Sequence, residues 1–136
     1  EDRAVFAAIA APKKRLRSRN MKYQTELKDD LLFLRLQGDL IAGKDTQQMI
    51  EEVDGVQDGK AMLCAADLSK VRFMDSSGMG VLVSLLTKFR NRGGELVLIK
   101  PSDHIRKLLI VTKLNAIFTI AENDDYAAQF LKESIY

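Results

Sequence analysis

Hydrophobic positions along this chain alternate between a spacing that suits strands and one that suits helices. Residues 23–27 and 31–36 read as two strands joined at Asp29-Asp30, a hairpin signal, and Gly38 is expected to end the second. Over residues 43–56, Met49, Ile50 and Val53 recur at helical spacing. The turn pairs Asp54-Gly55 and Asp58-Gly59 close that segment. Residues 61–68, AMLCAADL, are almost continuously apolar, as a central strand covered on both faces requires.

The second half repeats the alternation. Met79, Leu82, Val83, Leu86 and Phe89 or Arg90 form an i, i+3, i+4, i+7 stripe. Lys88, Arg90 and Arg92 fall in the last turns of that helix, where cations suit the dipole, and Gly93 suits the position just past its end. Residues 95–99 read as a strand. Pro101 with Ser102 or Asp103 opens a further helix holding Ile105, Leu108, Leu109 and Val111. Residues 114–120 contain a short last strand, and residues 124–134 form a final amphipathic helix with Tyr126, Ala127, Phe130 and Leu131 on its apolar side. The order ββαβαβαβα predicts an α/β fold, a mixed central β-sheet with crossover helices.

Residues 1–20 differ from the rest. An Ala-rich patch over 5–11 and Pro12 precede a basic run over 13–19, whereas a signal peptide places its positive charges before the apolar part. Met21 is expected to open the folded unit. Residues 1–20 are then an N-terminal extension, either an upstream remnant or a flexible arm with a solvated basic run, and 21–136 form one domain.

A length of 136 residues with 46% hydrophobic content suits a single core. The 21 basic and 19 acidic residues leave a net charge of +2, a balance that argues against a direct nucleic-acid binder. Apolar runs fall short of the ~20 residues needed to span a bilayer, so no membrane insertion is expected. The single cysteine, Cys64, permits no disulfide within the chain, which fits a reducing cytoplasm. It reads as a small buried hydrophobe rather than a reactive thiol. One Cys and one His, His104, do not supply a zinc site.

The most informative stretch covers residues 67–82, DLSKVRFMDSSGMGVL. It reads as the end of a buried strand, a short turn, and a helix that begins with two adjacent hydroxyls. Free N–H groups and the positive dipole end favour an anion at a helix start. Phosphorylation there changes the local charge by about −1.5 to −2, which makes Ser76 a candidate switch. Capping is the competing reading for both Asp75, where it has the larger share, and Ser76. Composition and spacing do not separate the two.

Other chemistries fare worse. A nucleophilic Ser76 or Ser77 needs a base, and Asp103 is a poor orienter for its direct neighbour His104. No G-x-S-x-G elbow is present. Gly78-Met79-Gly80 is too short for a dinucleotide fingerprint and no phosphate-binding G-x-x-x-x-G-K-[ST] occurs, so no cofactor is expected. Those glycines are better read as close-packing positions against the sheet. Asp39, Asp45, Asp67 and Asp75 are carboxylates that nothing in the sequence fixes at one metal site.

FMDSSGMGVL, followed by a helix, Gly93-Gly94 and the strand ELVLIK, resembles the STAS domain. More narrowly, it is similar to the bacterial anti-anti-sigma factors (anti-sigma factor antagonists), over residues 21–135. The resemblance implies the STAS fold and a protein that is not an enzyme but exchanges partners in the cytoplasm. Unphosphorylated, such a protein binds an anti-sigma factor that is also a serine kinase, and a sigma factor is freed for transcription. Phosphorylation of the first serine after the Asp, here Ser76, ends that binding, and a serine phosphatase restores it. Asp75, Ser77, Gly78 and Met79 are the implied switch and partner-binding residues, with Ser77 tuning backbone hydrogen bonds or kinase recognition. Met79 has an equal reading as a core residue of the stripe. One departure stands out: many of these antagonists carry an acidic residue in a G-x-[LI]-D pattern, and Gly38-Asp39-Leu40-Ile41 puts Ile41 there. A STAS scaffold subunit of a transporter or signalling assembly, without phosphorylation, is the alternative. A serine hydrolase and a nucleotide-binding module rank below it.

Overall fold

A computed structural model describes residues 21–134. Strands β1 (Lys22–Lys28) and β2 (Leu31–Leu40) form an antiparallel hairpin. It turns at Asp29-Asp30, where Asp29 takes a φ of 54°. There follow α1 (Lys44–Asp54), β3 (Leu63–Met74), α2 (Ser76–Asn91), β4 (Glu95–Ile99), α3 (Asp103–Val111), β5 (Thr119–Ala121) and α4 (Asp124–Ser134). Short 3-10 turns occupy Val56–Gly59 and Leu114–Ala116. The expected extension over 1–20 lies outside the described residues, which begin at Met21.

The sheet runs in chain order, β1-β2-β3-β4-β5, with parallel pairing from β2 to β5. Each crossover steps one strand in the same direction, and right-handed crossovers therefore put α1, α2 and α3 on one face. Met49 and Val53 from α1, Leu82 and Phe89 from α2, and Ile105 and Leu109 from α3 share the core with Leu34 and Leu98. The opposite face is left to α4, whose Ala127 and Leu131 bury Phe33, Ala65, Val97 and Ile99. Strand β4 feeds both cores alternately, Leu96 and Leu98 to one and Val97 and Ile99 to the other. That is why strands buried on both sides read as unbroken apolar runs.

Three expectations are corrected. Gly38 does not end β2: at φ 94° it sits beside a register shift against β3, and the strand continues to Leu40. Glycine accepts that left-handed geometry at no steric cost. Strand β3 extends past Leu68 to Met74, directly abutting Asp75. Val111 (78% exposed) and Tyr126 (65%) stand on the solvent sides of their helices rather than in the apolar stripes.

Helix α4 is also held by charge. Arg35 on β2 donates to both carboxylate oxygens of Asp124 (2.9 and 2.8 Å) and to Asp67 (3.1 Å). Its guanidinium lies 4.8 Å from the Phe33 ring centroid. The hydrogen bond from Arg35 keeps the Asp124 carboxyl below the usual carboxylate range. Asp67 is thereby engaged in the framework, and among the described residues no group of three or more His, Cys, Asp or Glu side chains could hold a metal ion.

Candidate functional site

Because β2, β3 and β4 are parallel, their C-terminal ends share one edge of the sheet, and the starts of α1, α2 and α3 converge there. Asp75, extended at φ −111° and ψ −172°, is the N-cap of α2. Its Oδ1 accepts from the Gly78 amide (2.9 Å) and from Ser77 Oγ (2.6 Å). Those bonds, the Ser77 hydroxyl first, hold the Asp75 carboxyl below its ordinary value. An ionised carboxylate therefore sits against the positive end of α2.

The capping question is settled by this geometry: Asp75 caps, and Ser76 is the first residue inside the helix. Ser76 is exposed, and its hydroxyl makes no side-chain hydrogen bond among the described residues. Ser77 is half-buried and doubly engaged, since its Oγ also accepts from the Ala42 amide (2.9 Å) in the β2–α1 loop. The two adjacent hydroxyls thus have different roles.

Gly78 and Met79 are corrected as partner-contact positions. Met79 is 2% exposed and belongs to the core under α2, the stripe reading rather than the docking one. Gly78 is buried, and a Cβ built on it would collide with the Leu40 carbonyl. Its function is to let the helix start close on the end of β2. Gly80 has open space around it, so the close-packing role expected of both glycines belongs to Gly78.

Around Ser76 the edge presents apolar side chains. Ile41 is 43% and Phe73 41% exposed. Phe73 stacks on His104 from α3 with ring centroids 5.7 Å apart and planes at 18°. His104 Nε2 lies 3.2 Å from the Met74 carbonyl, so α3 bears on the residue before Asp75. The ring thus contacts the backbone and an aromatic neighbour rather than either serine hydroxyl. Asp39 is nearly buried and receives two bonds from Arg72 (3.2 and 3.0 Å).

Sequence reasoning missed Phe73 and the contact of His104 with Met74. A partial signal existed in the strand order: parallel neighbours β3 and β4 send the residues that follow them toward the same end of the sheet, although the pairing stops at Asp67 and Ile99 and β3 runs on to Met74.

A family model for the STAS domain matches residues 22–127. The chain belongs to the STAS domain family. Among its relatives, the anti-sigma-B factor antagonist of Listeria monocytogenes is 39% identical over 69 residues, 51% of this chain and 59% of that protein. The anti-sigma F factor antagonist of Paenibacillus polymyxa is 25% identical over 105 residues, 77% of this chain and 90% of that one. The solved structure of the unphosphorylated anti-sigma factor antagonist SpoIIAA superposes with a TM-score of 0.69 at 21% identity, covering 82% of this chain and 97% of the other. This STAS domain has the fold expected from the sequence, a mixed five-stranded sheet with four helices. Among the described residues, no helix is long and apolar enough to cross a membrane.

Proposed function

We propose that this STAS protein is an anti-sigma factor antagonist that works by partner switching, with Ser76 as the switch. Unphosphorylated, it binds an anti-sigma factor that is also a serine kinase, and a sigma factor is released. The kinase transfers the γ-phosphoryl group of ATP to Ser76 Oγ. The Oγ–P bond forms, the bond to the ADP oxygen breaks, and the hydroxyl proton passes to a base on the kinase. A serine phosphatase hydrolyses the ester and restores the binding form. The protein acts by binding, in the cytoplasm, without a cofactor of its own.

The observation that carries this reading is the separation of roles at the start of α2. Asp75 supplies the cap and Ser77 Oγ is committed to Asp75 and Ala42, while the Ser76 hydroxyl is exposed. Modification of Ser76 Oγ replaces no existing side-chain hydrogen bond among the described residues, yet it places a charge of about −1.5 to −2 next to the Asp75 carboxylate, at the end of the sheet where Ile41 and Phe73 are exposed. Like charge brought into an interface costs several kcal/mol, enough to lower affinity by orders of magnitude. The names of the relatives support the same role.

The test is an intact mass and peptide map of the protein recovered from its native cells, with and without phosphatase treatment. One phosphate on Ser76, removed by the treatment, is the expected result. Its absence across growth and stress conditions sinks the switch. That outcome favours a STAS scaffold that holds its partner regardless of modification, a reading to which Ile41 in the usual acidic position lends weight.

A further inference from the structure

The Ser77 hydroxyl joins two elements that are far apart in sequence. It donates to Asp75 Oδ1 at 2.6 Å and accepts from the Ala42 amide at 2.9 Å. Ala42 lies in the loop between β2 and α1, residues 41–43. The next amide in that loop, Gly43, is held locally by Thr46 Oγ1 at 2.8 Å. Ile41, 43% exposed, is therefore suspended between the end of β2 and the Ala42 anchor. A single hydroxyl ties the side chain next to the phosphoacceptor to the loop that presents Ile41.

We propose that Ser77 is a positioning residue, a latch through which the modification state of Ser76 sets the placement of the Ile41 loop. This rests on Ser76 being the modified residue. A phosphate on Ser76 brings a dianion next to the Asp75 carboxylate, which already carries the proton end of the Ser77 hydroxyl. Repulsion drives Asp75 from that position, and the phosphate oxygens compete as stronger acceptors for the Ser77 proton. Either change turns Ser77 Oγ away from Ala42. The loop then loses its tether to α2, and the docking face changes shape as well as charge. The Ser77 and Gly78 bonds hold the Asp75 carboxyl below its ordinary value, so both groups carry charge at neutral pH.

The test uses the full chain with phosphoserine incorporated genetically at position 76, together with Ser77→Ala and Ser77→Thr, each checked for folding by circular dichroism. The readout is the Ala42 backbone amide in ¹H–¹⁵N spectra. In Ser77→Ala its resonance should move and its solvent exchange rise about fivefold, the equivalent of one ordinary hydrogen bond. The phosphoserine protein should follow Ser77→Ala, and Ser77→Thr should keep the unmodified position. An Ala42 resonance that phosphoserine leaves in place overturns the latch, as does one that Ser77→Ala leaves in place. Binding of the phosphoserine protein to its anti-sigma factor separates the two readings. Binding retained while Ala42 moves sinks the partner switch alone; binding lost while Ala42 stays sinks the latch alone.

Discussion

Gly78 stands so close to the carbonyl oxygen of Leu40 that no side-chain atom fits between them. This contact lets α2 begin directly at the end of β2, and it sets where Ser76 emerges. Gly78→Ala should destabilise the fold by about 3 kcal/mol, because the obstruction is backbone and relief requires moving β2 or α2. Gly80→Ala, two residues on in an exposed and open helical position, should stabilise by about 0.5–1 kcal/mol. Urea unfolding of both variants, with unchanged m-values, checks the contrast.

Asp75 couples the start of α2 to pH. Its carboxyl titrates below its ordinary value because Ser77 and Gly78 bond the ionised form. The resulting stabilisation is complete above the unfolded-state pKa of about 3.9 and is lost as pH falls through the lower folded value. Asp75→Asn should keep most of the cap, since Asn is as good a capping residue, and should flatten the acid limb of a Tm-against-pH curve. Asp75→Ala should lose about 1 kcal/mol at neutral pH. An acid limb unchanged in Asp75→Asn would show that the cap is not linked to this titration.

Much of this was legible beforehand. Strand β4 and helix α4 fall where the periodicity places them, because a two-sided apolar run and a one-sided stripe are each unambiguous. The misread positions depend on tertiary geometry. Gly38 looked like a strand end, since nothing local marks a bulge that only register against β3 defines. Met79 lay in the motif and in the stripe at once, and its burial follows from how deeply α2 sinks onto the sheet, which Gly78 permits. At the site itself, D-S-S-G offered two competing caps in adjacent residues, Asp75 and Ser76. Only the backbone of Asp75 in an extended conformation assigns the cap to it and leaves Ser76 exposed.

The Arg35–Asp124 pair should contribute more than an ordinary surface ion pair, because the fork is bidentate and Arg35 is also bonded to Asp67. A double-mutant cycle with Arg35→Met and Asp124→Asn should give a coupling energy of about 1 kcal/mol that shrinks in high salt. Amide exchange in the first turn of α4 should accelerate in either single variant. Coupling indistinguishable from zero would mean that apolar packing of Ala127 and Leu131 alone seats the helix.

Cys64 on β3 is fully buried in the core beneath α1, α2 and α3, and burial pushes its thiol up to about 12. Since the thiolate is the reactive form, the native protein should resist alkylation at neutral pH. Labelling should follow the opening of the core and should accelerate in parallel with any loss of stability, as in Gly78→Ala. Rapid labelling of the native protein would place the thiol at the surface instead.

Ser76 substitutions separate charge from contact. Ser76→Ala removes the phosphoacceptor while leaving the bonds of Asp75 and Ser77 in place. It should bind the anti-sigma factor as the unmodified protein does and resist its kinase. Ser76→Glu adds one negative charge beside Asp75, less than a phosphate brings, and should weaken binding about tenfold or more, with the loss reduced at high salt. Ile41→Asp offers a second measure, because it places the acidic residue that many of these antagonists carry onto the same edge. Calorimetric titration of each variant against the kinase partner gives the comparison. If Ser76→Ala weakens binding as much as Ser76→Glu, the hydroxyl is itself a contact and the switch works by removing it rather than by repulsion.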